Sequence, residues 1–415
     1  MKSKKSIEKV YDACVIGAGA SGLVCASELA KRGYTTLLLE RNKKTGRKLY
    51  ATGNGRCNIA NAVLSASKYY GDGFASKVVN TGSAAMLKRY LEQLGIPLTD
   101  KSGYLYPQSL QASSVVWALT DAAVLAGVKI KYENELESVD RTAEGGFRLH
   151  VASPKDGSIE YQCNRLVLSA GSPAGESLGA ADDENLGRIL DDLGIPYIPF
   201  EPALCPLTVK EDVSELAGVR TRAVLRLGLS IDRRDFNEDL TESGELQITD
   251  YGISGIAVFN LSTMVQGNES ISIDLLPEWD KSEDVLRFIR EQDQRRSIFG
   301  TLNGLLHEKI CSFFLKEHFG KERFKKTAEE FEDEELLHLI DNVKDWRLNI
   351  TGKKVGSEQA SRGGVKTHIL SPDTMQVRRE PRIAVTGELC NVTGRCGGYN
   401  LMFALISGLR AGQRI

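Results

Sequence analysis

Residues 15–40 read VIGAGASGLVCASELAKRGYTTLLLE, and this stretch decides the fold. It predicts a buried strand, the pattern Gly17-x-Gly19-x-x-Gly22, a helix with apolar residues at helical spacing, and a second strand that ends at Glu40. A strand, glycine turn, helix and strand with an acidic residue about 20 positions after the glycines is typical of a domain that binds an adenine dinucleotide.

Each glycine of this pattern has a physical role. Gly17 permits a tight turn, Gly19 lets a pyrophosphate approach the backbone, and Gly22 lets the helix pack closely on the strand. Ala20 and Ser21 stand in the first turn of the predicted helix, whose free N–H groups and positive dipole end attract phosphate. A glycine-rich turn that binds nothing is the alternative, and the matching flanks argue against it.

Glu40 is the predicted ribose ligand, because a carboxylate at the end of the second strand accepts hydrogen bonds from ribose hydroxyls. The same charge repels a 2′-phosphate, so this pattern favours FAD or NAD over NADP at this position.

Composition excludes several classes of protein. The chain has 415 residues, of which 41% are hydrophobic and 26% charged, with a net charge of −2. These values are typical of a globular enzyme of two or three domains and predict no general nucleic-acid or membrane surface. The eight cysteines form no zinc-type repeat and the five histidines no metal-ligand spacing, so we expect a reducing cytoplasmic location and no metal site.

Two glycine-rich segments at opposite ends of the chain point to a flavin. Residues 41–61 predict a polar, basic loop in which Gly53 and Gly55 allow positive φ or a close approach to a ligand. A solvated surface loop is the alternative for this segment. Near the C-terminus, Gly397-Gly398 precedes a predicted helix, whose N–H groups can stabilise negative charge near flavin N1 and O2.

Four blocks carry a resemblance to a known family: GAGASGLVCASELAKRG, GRKLYATGNGRCNIAN, SRGGVKTHILSPDTM and TGELCNVTGRCGGYNLMFALISG. They resemble the BaiN/YhiN-like, or aminoacetone-oxidase-like, FAD-binding oxidoreductases, and the resemblance includes the DYGISG block at residues 250–255. It implies FAD in a Rossmann-like domain that is split by a substrate domain.

The fold class is therefore predicted as α/β, a three-layer Rossmann-like FAD-binding domain with a parallel sheet, split by an inserted β-rich domain with a small helical subdomain. We expect residues 1–194 and 346–415 to form the FAD-binding domain. Residues 195–345 are the expected substrate domain, β-rich over 195–278 and helical over 279–345, because prolines cluster at its start and a charged helical pattern follows.

The resemblance assigns cofactor contacts to particular residues. It implies phosphate contact at the three fingerprint glycines, ribose contact at Glu40, and contact with the pyrophosphate or the flavin in the two glycine-rich segments. The full set of candidate cofactor-binding residues is Gly17, Gly19, Ala20, Ser21, Gly22, Glu40, Arg41, Arg47, Lys48, Gly53, Asn54, Gly55, Arg56, Cys57, Asn58, Ala170, Gly171, Gly387, Glu388, Gly397, Gly398, Tyr399, Asn400 and Leu401.

Three departures from the family pattern concern the substrate. Asn54 stands where the family has a glycine, Tyr106 stands where it has Phe, and the segment after Gly171 differs from the family's run of Pro, Gly, Ser and Thr.

The sequence limits the chemistry without naming a catalytic residue. No second Gly-x-Gly-x-x-Gly occurs, so NAD(P)H is expected only as a transient donor at the flavin face. Cys57 lacks the neighbouring cysteine of a dithiol relay, and a redox pair of Cys390 with Cys396 has weak support. Tyr104, Tyr106 and Tyr399 are candidate proton donors, with a structural role as the alternative for each. The chain carries no signal of oligomeric state.

Three functions follow. The first is an FAD-dependent oxidoreductase that uses NAD(P)H to reduce a small organic substrate such as a conjugated enone, with an amine oxidase that uses oxygen as its alternative. The second is a flavoprotein that acts on tRNA, against which the near-neutral charge argues. The third is an FAD-binding module without catalytic activity, which would leave the polar loops and the large insert without a purpose.

Overall fold

A computed structural model describes residues 10–71, 73–228, 236–267, 269–293 and 295–415. It divides into two compact units, Met1–Pro202 with Gln359–Ile415 and Ala203–Glu358. The sequence predicts domain boundaries after residues 194 and 345, and these boundaries remain a prediction.

The first segment of the larger unit alternates strands with helices. Its elements are β1 (Val10–Ile16), α1 (Ala20–Lys31), β2 (Thr36–Glu40), α2 (Arg47–Ala51), β3 (Ala60–Asn61), β4 (Tyr69–Tyr70), α3 (Phe74–Val78), α4 (Thr81–Gln93), β5 (Leu98–Lys101), β6 (Tyr104–Pro107), α5 (Ala112–Leu125), β7 (Lys129–Tyr132), β8 (Glu135–Arg141), β9 (Phe147–Ser153), β10 (Gly157–Leu168), α6 (Asp183–Asp192) and β11 (Tyr197–Ala203).

The smaller unit is a closed six-stranded antiparallel barrel with helices and has its own hydrophobic core. The strand order is β12-β15-β14-β13-β16-β17. Its elements are β12 (Leu207–Val209), β13 (Arg220–Gly228), β14 (Phe236–Thr249), β15 (Gly252–Ser254), α7 (Ile256–Ser262), β16 (Ser270–Asp274), α8 (Ser282–Arg290), α9 (Ile298–Leu302), α10 (Glu308–Phe319), α11 (Asp333–Lys344) and β17 (Trp346–Lys353).

The last segment returns to the larger unit. It contains β18 (Ala360–Val365), β19 (Gln376–Val377), β20 (Glu380–Val385), β21 (Thr393–Gly394) and α12 (Tyr399–Arg414). The long helix α12 packs against α1, and it does so closely because a Cβ on Gly408 would lie 2.4 Å from Ser21 O and a Cβ on Gly412 would lie 2.7 Å from Cys25 O.

The main sheet of the larger unit gathers strands from both segments. Its order is β19-β20-β10-β1-β2-β7, and the four pairings from β20 through β7 are parallel. The antiparallel pair β8–β9 continues from β10. Because parallel strands end at one edge, the residues after β1, β2, β10 and β20 lie side by side, where α/β sheets bind ligands.

The predicted fold class is confirmed: a mixed, mainly parallel sheet with helices forms the Rossmann-like domain, and additional sheets are present. The strand, helix and strand of residues 15–40 form as expected. In the smaller unit, Thr327 and Glu330 form a capping box, and α7 begins at Ile256.

One local prediction was wrong: the expected loop at 41–61 contains the short helix α2. The segment around Tyr104 forms the strand β6, and residues 361–365 lie in the strand β18, which pairs with β11. There Gly363 and Gly364 have φ of +103° and +100°, because Pro199 O and Leu389 O leave no room for a Cβ.

Among the described residues, no helix is both long enough and apolar enough to cross a membrane. In the same ranges, no group of three or more His, Cys, Asp or Glu side chains has the arrangement of a metal site.

Candidate cofactor site

The first glycine loop has little room except at one position. Gly17 has φ of +97°, and a Cβ on it would lie 2.6 Å from Ser169 O. A Cβ on Gly22 would lie 1.9 Å from Gly17 O, so α1 touches the loop directly. A Cβ on Gly19 would meet nothing within 4 Å. The loop is therefore packed on its inner side and open at Gly19, where a phosphate would approach.

Glu40 is 7% exposed, and the turns around it hold its carboxylate. Oε2 accepts from Ala18 N at 2.9 Å, and Oε1 accepts from Asn42 N at 2.7 Å and from Asn42 Nδ2 at 2.8 Å. A carboxylate offers about four acceptor positions, so capacity is left for a ribose hydroxyl. The neighbouring Asn42 was missed by the sequence analysis.

The segment after α2 exposes a run of backbone in the left-handed region. Gly53, Asn54 and Gly55 have φ of +57°, +54° and +79°, and all three are exposed. Arg56 Nε donates to Gly53 O at 3.3 Å, and its guanidinium carbon lies 5.9 Å from the centre of the Tyr106 ring. The segment thus presents backbone groups and a cation on one exposed turn.

Cys57 and Asn58 turn this segment back into the protein. Cys57 is fully buried, and this burial raises the pKa of its thiol to about 11. With its amide oriented to satisfy both ends, Asn58 donates to Ala60 O at 3.0 Å and to Leu105 O at 3.2 Å, and it accepts from Gly398 N at 3.2 Å. Asn58 therefore joins β3, β6 and the start of α12.

Lys48 and Glu388 bring the two ends of the chain together. Lys48 Nζ lies 2.5 Å from Glu388 Oε2, with side chains that are 31% and 22% exposed. Ser172 Oγ lies 3.4 Å from both groups, and Ser172 itself is buried. A half-buried ion pair with an adjoining hydroxyl can direct hydrogen bonds to a polyol chain such as ribityl.

The start of α12 is fastened to residues far away in the sequence. Gly398, at the N-cap, has φ of +91°, and a Cβ there would lie 2.6 Å from Ala60 O. Asn400 Oδ1 accepts from Gly394 N at 2.6 Å and its Nδ2 donates to Gly394 O at 2.9 Å, so the side chain closes its own loop. The groups that α12 offers a ligand are therefore the backbone N–H groups of its first turn, which includes Leu401.

The ends of β10 and β20 complete the same edge of the sheet. Ser169 Oγ and Thr386 Oγ1 are 2.7 Å apart, and Gly387 N donates to Ser407 Oγ at 3.0 Å. A Cβ on Gly387 would lie 2.6 Å from Ser21 Oγ, which places this residue beside the buried first turn of α1, Ala20 and Ser21.

The segment after β10 lies over the ribose side of the site. Gly171 has φ of +82° and follows the half-buried Ala170. Gly179 O accepts from Arg41 Nε at 3.3 Å and from Asn42 Nδ2 at 3.1 Å, and the Arg41 guanidinium also donates to Ala180 O. Arg47 Nη1 donates to Asn42 Oδ1 at 2.9 Å. Arg41 and Arg47 thus contact protein groups here. Sequence reasoning missed residues 172–180, because only their departure from the family pattern marked them.

Two further polar residues were missed near α12. Asn61 Nδ2 donates to Gly397 O at 3.0 Å, and Tyr69 OH donates to Tyr399 O at 3.1 Å. The Tyr69 and Tyr399 rings meet edge to face with their centres 5.7 Å apart. The two asparagines three positions apart in GRCNIAN were the available signal for Asn61, whereas Tyr69 lies in a segment without a motif.

All eight cysteines of the chain lie in described residues and are free thiols. Burial raises the pKa of Cys396 to about 12 and that of Cys390 further. Thiols with such pKa values carry little thiolate at neutral pH, so these two are poor candidates for a redox pair.

The chemistry and the placement of these residues fit a flavin dinucleotide. The open face at Gly19 and the carboxylate of Glu40 suit the pyrophosphate and the ribose, and the pair Lys48–Glu388 lies where the two chain ends meet. The N-terminus of α1 lies at this edge of the sheet, and α12 packs beside it through Gly408, whose Cβ would lie 2.4 Å from Ser21 O. When bound, a flavin would supply hydride transfer, and the chain would supply position and charge.

The family model described as HI0933-like protein Rossmann domain matches residues 11–414. The 3-dehydro-bile acid delta(4,6)-reductase of Clostridium scindens is 33% identical, over 96% of this chain and 97% of that protein. The ribosomal RNA dihydrouridine synthase of Escherichia coli K12 is 28% identical, over 97% of both chains.

Solved structures share the fold at low identity. A 3-ketosteroid-delta4-(5alpha)-dehydrogenase from Rhodococcus jostii RHA1 has a TM-score of 0.53 at 14% identity and covers 99% of this chain and 98% of its own. A flavocytochrome c3 fumarate reductase has a TM-score of 0.51 at 12% identity, over 98% of this chain and 78% of that one. The chain belongs to the HI0933-like Rossmann-domain family and is an FAD-dependent oxidoreductase.

Proposed function

We propose that this enzyme reduces a carbon–carbon double bond conjugated to a carbonyl in a small organic substrate. The observation that carries the proposal is the 33% identity, over nearly the whole of both chains, to a protein named as a 3-dehydro-bile acid delta(4,6)-reductase. Such a substrate has a ring ketone conjugated with alkenes, so a hydride adds to its β-carbon and the carbonyl takes up the negative charge.

The second group of relatives supports the same reaction class on another substrate. Proteins named ribosomal RNA dihydrouridine synthase are 28% and 27% identical. Dihydrouridine is uridine with the C5–C6 bond reduced, and that bond is conjugated with the C4 carbonyl. Reduction of an enone-type bond is therefore common to both names, and the relatives do not favour the amine-oxidase alternative.

Charge favours the small molecule over RNA. Residues 203–358 contain 30 Asp and Glu against 21 Lys and Arg, so the unit proposed as the substrate domain is acidic. RNA binding depends on cationic contacts with phosphates, which such a composition disfavours.

We assign FAD to the residues of the larger unit. In this proposal the loop around Gly19 contacts the pyrophosphate and Glu40 the ribose. Lys48 and Glu388 line the ribityl chain, and the first turn of α12 faces the pyrimidine edge of the ring. NAD(P)H acts as a transient donor, because the sequence has no second Gly-x-Gly-x-x-Gly.

A reducing cytoplasmic location belongs to the same proposal. Support comes from the eight free cysteines, seven of which are buried.

The test is a set of matched substrates. Purified enzyme with FAD is given NADH or NADPH and, in turn, a 3-oxo-4,6-diene bile acid, its 3-hydroxy analogue without the conjugated carbonyl, unmodified ribosomal RNA and a primary amine. We expect nicotinamide oxidation and a saturated product with the dienone alone. Dihydrouridine formation in the RNA, or amine oxidation with no enone reduction, would contradict the proposal.

A further inference from the structure

Tyr104 places a phenol beside the loop that opens α12. It begins β6, which pairs with β3 and β5. A Cβ on Gly397 would lie 2.9 Å from Tyr104 Cε1, so the ring lies directly against the backbone of this glycine. Asn61 Nδ2 lies on the same side of Gly397 and donates to its carbonyl oxygen at 3.0 Å. The phenol is therefore fixed against the last residues before α12.

Tyr104 is also accessible. The residue is 36% exposed, and its hydroxyl has no hydrogen bond to any described residue. A hydroxyl that is next to a fastened loop, open to a ligand and without a protein partner is available to a substrate.

The other tyrosines of this cluster are less exposed. Tyr69 OH donates to Tyr399 O, and Tyr399 is only 4% exposed. Burial raises the pKa of Tyr399, and the Tyr104 phenol raises it further. Tyr106 follows Tyr104 by two residues on the same face of β6, and its ring lies under the Arg56 guanidinium. Tyr104 is the phenol of the four that combines exposure with contact to the Gly397 loop.

We propose that Tyr104 is the general acid that protonates the α-carbon of the substrate. This inference rests on the proposed function, since it concerns the second half of enone reduction. A bound flavin would supply the hydride for the new bond to the β-carbon, which would leave the substrate as an enolate. The Tyr104 O–H bond breaks, its proton bonds to the α-carbon, and the C=O bond is restored. Solvent returns a proton to the exposed phenolate, and a nicotinamide supplies the two electrons of the next cycle.

A phenol near the enolate raises the rate at which the enolate is protonated. An enolate is protonated faster when an acid lies within hydrogen-bond reach, and a positioned acid contributes about 10²- to 10⁴-fold in rate. The Arg56 guanidinium carbon lies 5.9 Å from the centre of the Tyr106 ring, and Tyr106 is two residues, or roughly 7 Å, along β6 from Tyr104. The cation of Arg56 would favour an anion formed in this neighbourhood.

The experiment separates hydride transfer from proton transfer. Anaerobically reduced enzyme is mixed rapidly with an enone or with a nitroalkene, whose hydride adduct is a stable nitronate that needs no acid. In Tyr104→Phe we expect flavin reoxidation by the enone to fall about 100-fold, whereas reoxidation by the nitroalkene stays within about twofold of the wild type. Tyr34→Phe, before β2, is the matched control and should leave both rates within about twofold.

A second readout follows the proton itself. In D2O, the wild type should place deuterium on one face of the α-carbon, whereas residual product from Tyr104→Phe should carry it on both faces. FAD content should equal that of the wild type.

Equal loss with enone and nitroalkene would mean a structural role and overturn the inference, as would unchanged enone rates in Tyr104→Phe. Failure of the wild type itself to reduce any enone would overturn the proposed function first, and the role of Tyr104 with it.

Discussion

The molecule contains two glycine loops that each open a helix, and they are built differently. The loop before α1 contacts neighbours in its own βαβ unit and the adjacent strand β10. The loop before α12 is held by Asn58, Asn61 and Tyr69, more than 300 residues earlier in the chain. A local loop is compatible with any adenine dinucleotide, whereas a loop fastened by distant residues can be fitted to one cofactor ring and one reaction.

The two N-caps show the same contrast in backbone geometry. Gly19 has an extended conformation with open space around it, and Gly398 has a left-handed one with Ala60 O in the way of any side chain. In the proposed cofactor site Gly19 serves the ligand, whereas Gly398 is required by the packing of the loop itself. Substitutions at the two loops should therefore separate cofactor binding from local stability.

The largest effect is expected inside the first loop. Gly22→Ala places a Cβ 1.9 Å from Gly17 O, so we expect the free energy of unfolding to fall by about 3 kcal/mol. Gly19→Ala is the matched control and should change stability by less than about 0.5 kcal/mol, because its Cβ meets no protein atom. Urea titration of both apoproteins measures the difference. Equal stability of the two variants would show that the loop is not packed as described.

A smaller loss is expected at the second loop. Gly398→Ala combines a left-handed residue with a Cβ 2.6 Å from Ala60 O, and we expect a cost of about 2 kcal/mol. Gly157→Ala has a φ of +72° with open space and should cost only the conformational term, about 1 kcal/mol. If both variants lose the same stability, the contact with Ala60 has no energetic weight.

The ion pair between the chain ends should affect FAD affinity more than folding. We expect Lys48→Met and Glu388→Gln each to weaken FAD binding about tenfold, because each leaves a half-buried partner without its counter-charge. The double variant should lose less than the product of the two, with a coupling of about 1 kcal/mol. Quenching of flavin fluorescence on binding gives the constants, and strictly additive losses would argue against a shared site.

The smallest effect concerns the thiol beside Asn58. Burial raises the pKa of Cys57 from 9.0 to about 11, so the folded protein resists forming this thiolate. The stability that this thiol contributes is complete below pH 9 and is lost as the pH rises toward 11. A thiol reagent at pH 8 should label Cys57 only after denaturant is added, with Cys57→Ser as the control. Rapid labelling of the native protein would contradict the burial.

Much of the first loop could be predicted from sequence, because its function depends on spacing within 26 consecutive residues. Gly17, Gly19, Gly22 and Glu40 take the positions that the pattern implies. Two contacts could not be predicted, because both join distant segments of the chain. They are the ion pair between Lys48 and Glu388 and the contact of the Tyr104 ring with Gly397. The strand β18 could not be predicted for a similar reason: the carbonyls that require glycine at Gly363 and Gly364 belong to other segments of the chain.

The central claim, that the loop before α12 presents a flavin to an enone, is tested most directly by a single turnover. Enzyme reduced anaerobically with one equivalent of NADH or NADPH is mixed with one equivalent of a 3-oxo-4,6-diene bile acid. We expect the absorbance of the oxidised flavin to return as one equivalent of the conjugated chromophore is lost. A flavin that stays reduced in the presence of the dienone, and is reoxidised only when oxygen is admitted, would contradict it.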